Sequence, residues 1–197
     1  MSDEETLNVY AEKAAEYAEL TRDANDRDPL LTAFIADLPA GGRVLDLGCG
    51  PGTSAAVMAN AGLEAHAWDP VAEMVALAAA QDGVTARQAG FDDLTDVDAF
   101  DGIWANFSLL HATRDEMPGY LSGIARALKP GGRFHIALKS GTGSKRDRIG
   151  RRYTYYTDAE LTRLLEDAGM VVTGRSTGVG KGLDGSEAAW ISLAAHA

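Results

Sequence analysis

Between residues 43 and 168 short apolar runs alternate with helical stretches, and no other feature of this chain narrows its fold as far. The runs at 43–47, 64–68, 84–88, 100–105 and 132–138 have the length and apolar content of buried strands. Helices are predicted over 53–61, 71–80, 115–128 and 158–168, preceded by one over 30–38 that stops at Pro39 and the Gly41-Gly42 pair. Strand followed by helix, repeated, predicts a doubly wound, Rossmann-like sheet, mostly parallel and covered on both faces. The tail breaks the pattern. Two strand candidates, 171–176 and 188–194, are joined by a Gly-rich stretch at 178–185 with no helix between, so the seven-stranded sheet is expected to end in an antiparallel strand. At the other end, residues 2–22 read as a helix, with Ser2 and Glu5 spaced as a capping box and Leu7, Tyr10, Ala14, Tyr17 and Ala18 on one face. A polar segment at 21–29 sets it apart, giving an N-terminal helix over 1–28 and a main domain over 29–197.

Composition removes several function classes. A chain of 197 residues, 46% hydrophobic and 24% charged, is an ordinary globular domain. Its net charge of -11 repels a phosphate backbone, so no nucleic-acid partner is expected. Cys49, the single cysteine, supports neither an internal disulfide nor a cysteine-rich metal site; no metal is expected and the cytoplasm is the expected compartment. The acidic start is unlike a signal peptide, and no run approaches the ~18 apolar residues of a membrane span.

In a doubly wound sheet ligands bind at the carboxyl ends of the strands, near the point where strand order reverses. There the first strand runs into Asp46-Leu47-Gly48-Cys49-Gly50-Pro51-Gly52-Thr53, and a helix follows at once. Glycines in this density permit positive φ and let a ligand approach the backbone; a ligand-free tight turn is the alternative. Asp69 closes the next strand about 20 residues on, where a ribose-binding carboxylate belongs. It serves a ribose diol as a double acceptor only when ionised. The dinucleotide fingerprint wants glycine at its first, third and sixth positions, to admit a pyrophosphate and to pack helix on strand; here the sixth is Thr53, and no P-loop occurs. The loop therefore suits a nucleoside without a demanding phosphate, a description that S-adenosylmethionine fits.

Val44-Leu45-Asp46-Leu47-Gly48-Cys49-Gly50-Pro51-Gly52 resembles the signature loop of class I S-adenosylmethionine-dependent methyltransferases. Ala67-Trp68-Asp69-Pro70-Val71-Ala72-Glu73-Met74 resembles that family's second-strand acid and following helix, Phe100 to Asn106 its fourth strand, and Leu128-Lys129-Pro130-Gly131-Gly132-Arg133-Phe134 the turn into its fifth. The layout is similar to small bacterial, tellurite-resistance-type members. The resemblance implies that Gly48 and Gly50, with Cys49 and Thr53 beside them, face the methionine end of S-adenosylmethionine. Asp46 organises the loop and reaches the amino group, and Asp69 holds the ribose. Pro70 and Met74 form one wall for the adenine; Phe91 forms the other, with Asp92 as partner for the exocyclic amine. Asn106 and Ser108 lie near the sulfonium. The third strand's exit, Arg87-Gln88-Ala89-Gly90-Phe91, departs from the family's commoner Gly-Asp pattern at the adenine contacts.

Methyl transfer from a sulfonium needs alignment more than acid or base. Thiolates and oxyanions need no base, whereas a phenol or alcohol acceptor requires proton removal, and His111, just beyond the fourth strand, is the candidate. The alternative for His111 is a helix-start histidine bonded to backbone. The stretch 145–152 holds five basic residues, among them Arg151 and Arg152, whose forks suit an anionic small-molecule acceptor; a solvated loop is the alternative. Tyr155 follows as a pocket-lining candidate. Tyr10 and Tyr17 share one face of the first helix and would meet substrate if that helix is a lid; core packing explains their spacing equally well. A small-molecule methyltransferase is the leading function. An NAD(P)-dependent oxidoreductase and a non-catalytic S-adenosylmethionine-binding regulatory domain are the alternatives, and oligomeric state is left open.

Overall fold

The alternating runs assemble one sheet of seven strands in the order β3-β2-β1-β4-β5-β9-β8. The computed structural model describes residues 3–22 and 28–197. Strands β1 (Arg43–Leu47), β2 (Glu64–Asp69), β3 (Val84–Gln88), β4 (Phe100–Asn106) and β5 (Leu128–Lys139) are parallel, while β9 (Glu187–His196) runs antiparallel between β5 and β8 (Val171–Lys181). Strand order reverses at β1, which pairs with β2 on one side and β4 on the other, so the switch-point crevice opens above Leu47.

Alternation along the strands sorts side chains to two faces. Leu45, Leu47, Ile103 and Ala105 join one apolar cluster under α6 (Met117–Ala127) and α7 (Asp158–Asp167). Val44 and Trp104, one residue out of phase, join the other cluster with Leu31 and Phe34 of α3 (Pro29–Ala36) and Met58 of α4 (Thr53–Asn60). Helix α5 (Ala72–Ala79) carries a third, smaller cluster, in which Val71 and Met74 pack against Leu7, Tyr10, Ala14 and Tyr17.

Several expectations shift. The first helix is two, α1 (Glu4–Glu12) and α2 (Ala14–Thr21), broken where Lys13 leaves helical geometry at φ -107°, ψ 15°. Its cap is Asp3, whose carboxylate accepts from the Thr6 N–H at 3.0 Å; Ser2, expected in that role, lies outside the described residues. The Gly-rich stretch is not a connector over most of its length, because β8 continues through Gly178 and Gly180 to Lys181. The Trp190 indole of β9 lies over these glycines, and a Cβ at Gly178 would stand 2.5 Å from its Cζ2. The strand needs glycine for room, not for turning. A two-stranded ribbon, β6 (Ser144–Arg146) with β7 (Arg152–Thr154), arises inside the basic stretch. Its strands are too short and too charged to carry an alternation signal.

Candidate functional site

The chain at the switch point bends because three of its glycines adopt positive φ: Gly48 at 76°, Gly50 at 53° and Gly52 at 77°. Gly48 has a steric reason as well, since a Cβ there would lie 2.3 Å from the Ser108 Cβ. Ser108 in turn donates its hydroxyl to the Leu47 carbonyl at 2.6 Å, tying the exit of β4 to the end of β1. Above this seam lies a cavity of about 340 Å³, within the usual range of ligand pockets.

Two carboxylates face it. Asp69 is held by the loop itself, Oδ2 accepting from the Gly50 N–H and Oδ1 from the Val71 N–H, each at 2.9 Å. Burial pushes its pKa up to about 6, against those two backbone donors. Asp46 is pushed up to about 7 by burial, opposed by the Ala55 N–H at the start of α4 and reinforced by the charge of Asp69. Its Oδ2 is buried without a hydrogen-bond partner. A buried acceptor left open beside a second carboxylate favours a ligand that brings cationic N–H donors.

The cavity brings together most of the expected residues. Cys49, Pro51 and Thr53 line it with Asp46, Gly48 and Gly50; Pro70 and Met74 follow Asp69, and Phe91 stands at the exit of β3. Burial pushes the Cys49 thiol well above its ordinary range, so it is inert packing in the loop. Asn106 lines the floor, its amide oxygen accepting from His135 Nε2 at 3.1 Å, which leaves its NH2 as the group able to donate. Tyr10 and Tyr17, with Thr6 and Leu7, close the top: the rings of the two tyrosines meet edge to face at 5.6 Å, and the Tyr17 ring lies over Gly50.

His111 lines the cavity, buried, with both nitrogens engaged. Its Nδ1–H donates to the Arg152 carbonyl at 2.6 Å, and a carbonyl can only accept, so Nε2 carries the lone pair. That lone pair accepts from the Tyr10 hydroxyl at 3.0 Å. Burial holds the imidazole down to about 4, so it is neutral at pH 7.

Four expected residues stand outside the lining. Asp92 accepts from the Tyr120 hydroxyl at 3.4 Å beyond the Phe91 ring. Arg151 is buried behind Tyr10: its Nε donates to Asp147 Oδ2 at 2.9 Å and Nη2 sits 2.8 Å from the same oxygen in ion-pair contact, so its charge is already matched. Arg152 borders a separate shallow depression beside Ser144 and Thr154. Tyr155 packs over Gly141 and near Tyr153. Phe107 lines the cavity and was not singled out by any motif. It holds φ at 55°, costly for a non-glycine residue, with its N–H donating to Ala137 at 2.9 Å. Among the described residues no cluster of His, Cys, Asp or Glu is placed to hold a metal, and no helix is long and apolar enough to cross a membrane.

Residues 44–132 match the family model described as a methyltransferase domain. The chain is 36% identical over 132 residues to the cypemycin N-terminal methyltransferase of a Streptomyces species, covering 64% of this chain and 54% of that protein. It is 31% identical over 147 residues to an S-adenosylmethionine-dependent Diels–Alderase of Talaromyces variabilis, covering 70% and 46%. The chain thus spans about half the length of these curated relatives. Among solved structures, the 1,6-didemethyltoxoflavin-N1-methyltransferase of Burkholderia thailandensis, with 1,6-didemethyltoxoflavin and S-adenosylhomocysteine bound, superposes with a TM-score of 0.70 at 23% identity, covering 96% of this chain and 87% of that one. Residues 44–132 thus match a methyltransferase domain, and they lie on a fold shared with S-adenosylmethionine-dependent methyltransferases.

Proposed function

We propose that this protein transfers a methyl group from S-adenosylmethionine to a small-molecule acceptor. The observation that carries the reading is the pair of buried carboxylates on the positive-φ glycine turn, one of them with an oxygen that lacks a partner. Asp46 Oδ2 suits the amino group of the methionine end, next to the room that glycine leaves at 48 and 50. Asp69 is already aimed by two backbone N–H groups, and each of its oxygens keeps a lone pair for a ribose hydroxyl. Pro70 and Met74 on one side and Phe91 on the other suit an adenine between apolar surfaces, although Asp92 is turned toward Tyr120.

When bound, the sulfonium supplies an activated methyl and an uncharged thioether leaving group. The chain's own task is then alignment and exclusion of water, worth as much as ~7–11 kcal/mol in well-oriented reactions. Asn106 and Ser108 floor the reacting end, and α1 with α2 acts as the lid above it. With Arg151 paired to Asp147 and Arg152 outside the cavity, the support for an anionic acceptor is withdrawn. The acceptor is a dissolved cytoplasmic metabolite and not a nucleic acid, in keeping with the net charge of -11.

The likeness to a Diels–Alderase makes methyl transfer itself the property to measure. Calorimetry should register S-adenosylmethionine and S-adenosylhomocysteine and be silent for NAD and NADP. A metabolite screen should then detect release of S-adenosylhomocysteine. Binding without release from any acceptor would leave a cofactor-binding scaffold, and binding of NAD alone would refute the reading.

A further inference from the structure

Helix α1 brings more than cover to the cavity. Its Tyr10 hydroxyl joins two groups from elsewhere in the chain, donating to His111 Nε2 at 3.0 Å and accepting from Arg151 Nη1 at 2.9 Å. A phenol oxygen has one proton and two lone pairs, so one lone pair is still open, and Tyr10 lines the cavity. Arg151 and His111 are held in place around it, although Arg151 Nη2 has no hydrogen-bond partner of its own. Arg151 cannot turn away, because Asp147 holds its Nε and its N–H, and the plane of its guanidinium lies near both the Tyr10 and Tyr153 rings. His111 cannot change tautomer without losing the Arg152 carbonyl.

We infer that Tyr10 and His111 form a proton-accepting subsite for the methyl acceptor, which is therefore a neutral molecule presenting an O–H or N–H group. The inference rests on the methyltransferase reading and deepens it. The acceptor's proton passes to the open lone pair of Tyr10 as the Tyr10 proton passes to His111 Nε2. The new oxygen–carbon or nitrogen–carbon bond forms as the sulfur–carbon bond breaks. The positive charge that the sulfonium brought ends on the His111 imidazolium, which releases its proton to water when the product leaves, and Tyr10 is neutral before and after.

What faces the pair argues against an anionic acceptor, since the Asp69 carboxylate of the same lining acts on Tyr10 and, among the described residues, no free cation offsets it. Arg151 and Lys139 are the nearby cations: the first is balanced by Asp147, and the second lies against the Tyr153 ring, its ammonium 3.8 Å from the centroid, outside the cavity lining. The lining at this end is Tyr10, His111, Ser108, Asn106, Thr6 and Phe107, polar or apolar but uncharged at pH 7.

The test uses protein saturated with S-adenosylhomocysteine and three probes of one size: phenol, anisole and benzoate. Phenol should bind about fivefold tighter than anisole, the margin of one added hydrogen bond, and benzoate should bind no better than anisole. Phenol alone should move the nitrogen-15 resonances of His111, with Nδ1 remaining the protonated nitrogen. Tyr10→Phe, accepted as folded when its S-adenosylhomocysteine heat is unchanged, should lose the preference for phenol. Equal binding of phenol and anisole, tighter binding of benzoate, or a phenol preference that survives Tyr10→Phe would each overturn the subsite. The His111 resonances of the unsubstituted protein decide the matter if that variant does not fold. Absence of any S-adenosylhomocysteine heat would instead overturn the proposed function beneath it.

Discussion

Asp69 and Asp46 lie in the same cavity and titrate for the same reason, yet they play different parts. Asp69 is tied to the glycine loop by its own two hydrogen bonds. Asp69→Ala should weaken S-adenosylhomocysteine binding by at least about tenfold in calorimetry, the equivalent of ~1.4 kcal/mol. Asp46 has an unpartnered oxygen, and its native pKa of about 7 stands above the ordinary 3.8 of the unfolded chain. From about pH 4 to 7 the native state thus holds a proton that the unfolded state has released. Its contribution to stability is full below about pH 4 and is lost as pH rises through 7. Asp46→Asn should therefore be more stable than the parent at pH 8, by a margin of about 2–4 kcal/mol, and the two should converge toward pH 4 in denaturant melts. The same variant should bind S-adenosylmethionine more weakly, a trade of ligand affinity for stability.

Helix α1 owes its position to one face that meets the β6–β7 ribbon. Asp3, Thr6 and Tyr10, successive turns apart, bond respectively to the Arg146 guanidinium at 2.7 and 2.8 Å, the Arg152 N–H at 2.9 Å and Arg151 at 2.9 Å. Arg146 also bonds the Gly150 carbonyl at 2.7 Å, and its hydrogen bonds hold the Asp3 carboxyl well below the usual carboxylate range. The basic stretch thus seats α1 over the cavity. Because the Arg146 pair is exposed, Arg146→Ala should leave the melting temperature nearly unchanged while amide exchange across residues 4–12 accelerates several-fold. Raising salt to about 1 M, where the Debye length is ~3 Å, should produce the same loosening in the unsubstituted protein. Exchange rates insensitive to both changes would show that the helix is seated without the Arg146 pair, by the Thr6 and Tyr10 hydrogen bonds and by apolar packing against Val71 and Met74.

At the scale of the molecule, β1, β2 and β4, the α5 cluster and the N-terminal helices converge on one cavity, so a ligand there bridges parts that unfold together. Binding to the native state alone adds ~2.7 kcal/mol at a concentration 100 times Kd. For a domain of this length that is a rise of about 5–10 °C in melting temperature with S-adenosylhomocysteine. NAD at the same concentration should give no shift.

The sheet and the glycine turn that edges the cavity were legible in the sequence because both are written locally. Leu45 and Leu47 alternate with Val44 and Asp46 along one strand, and Gly48, Gly50 and Gly52 follow at once, a spacing that backbone sterics alone can interpret. The Tyr10 end was not. His111, Tyr10 and Arg151 were each visible as chemistry-bearing residues, but Tyr10 lies 101 positions from His111 and 141 from Arg151. Arg151 finds Asp147 four positions away, but whether it also meets Tyr10 depends on how a short ribbon docks on a helix, and such contacts leave no period in the chain. Sequence alone therefore determined the parallel sheet and its glycine turn, whose conformations follow from neighbouring residues. Tertiary structure decided that the Tyr10 hydroxyl meets His111 and Arg151, because those partners lie far away in the chain.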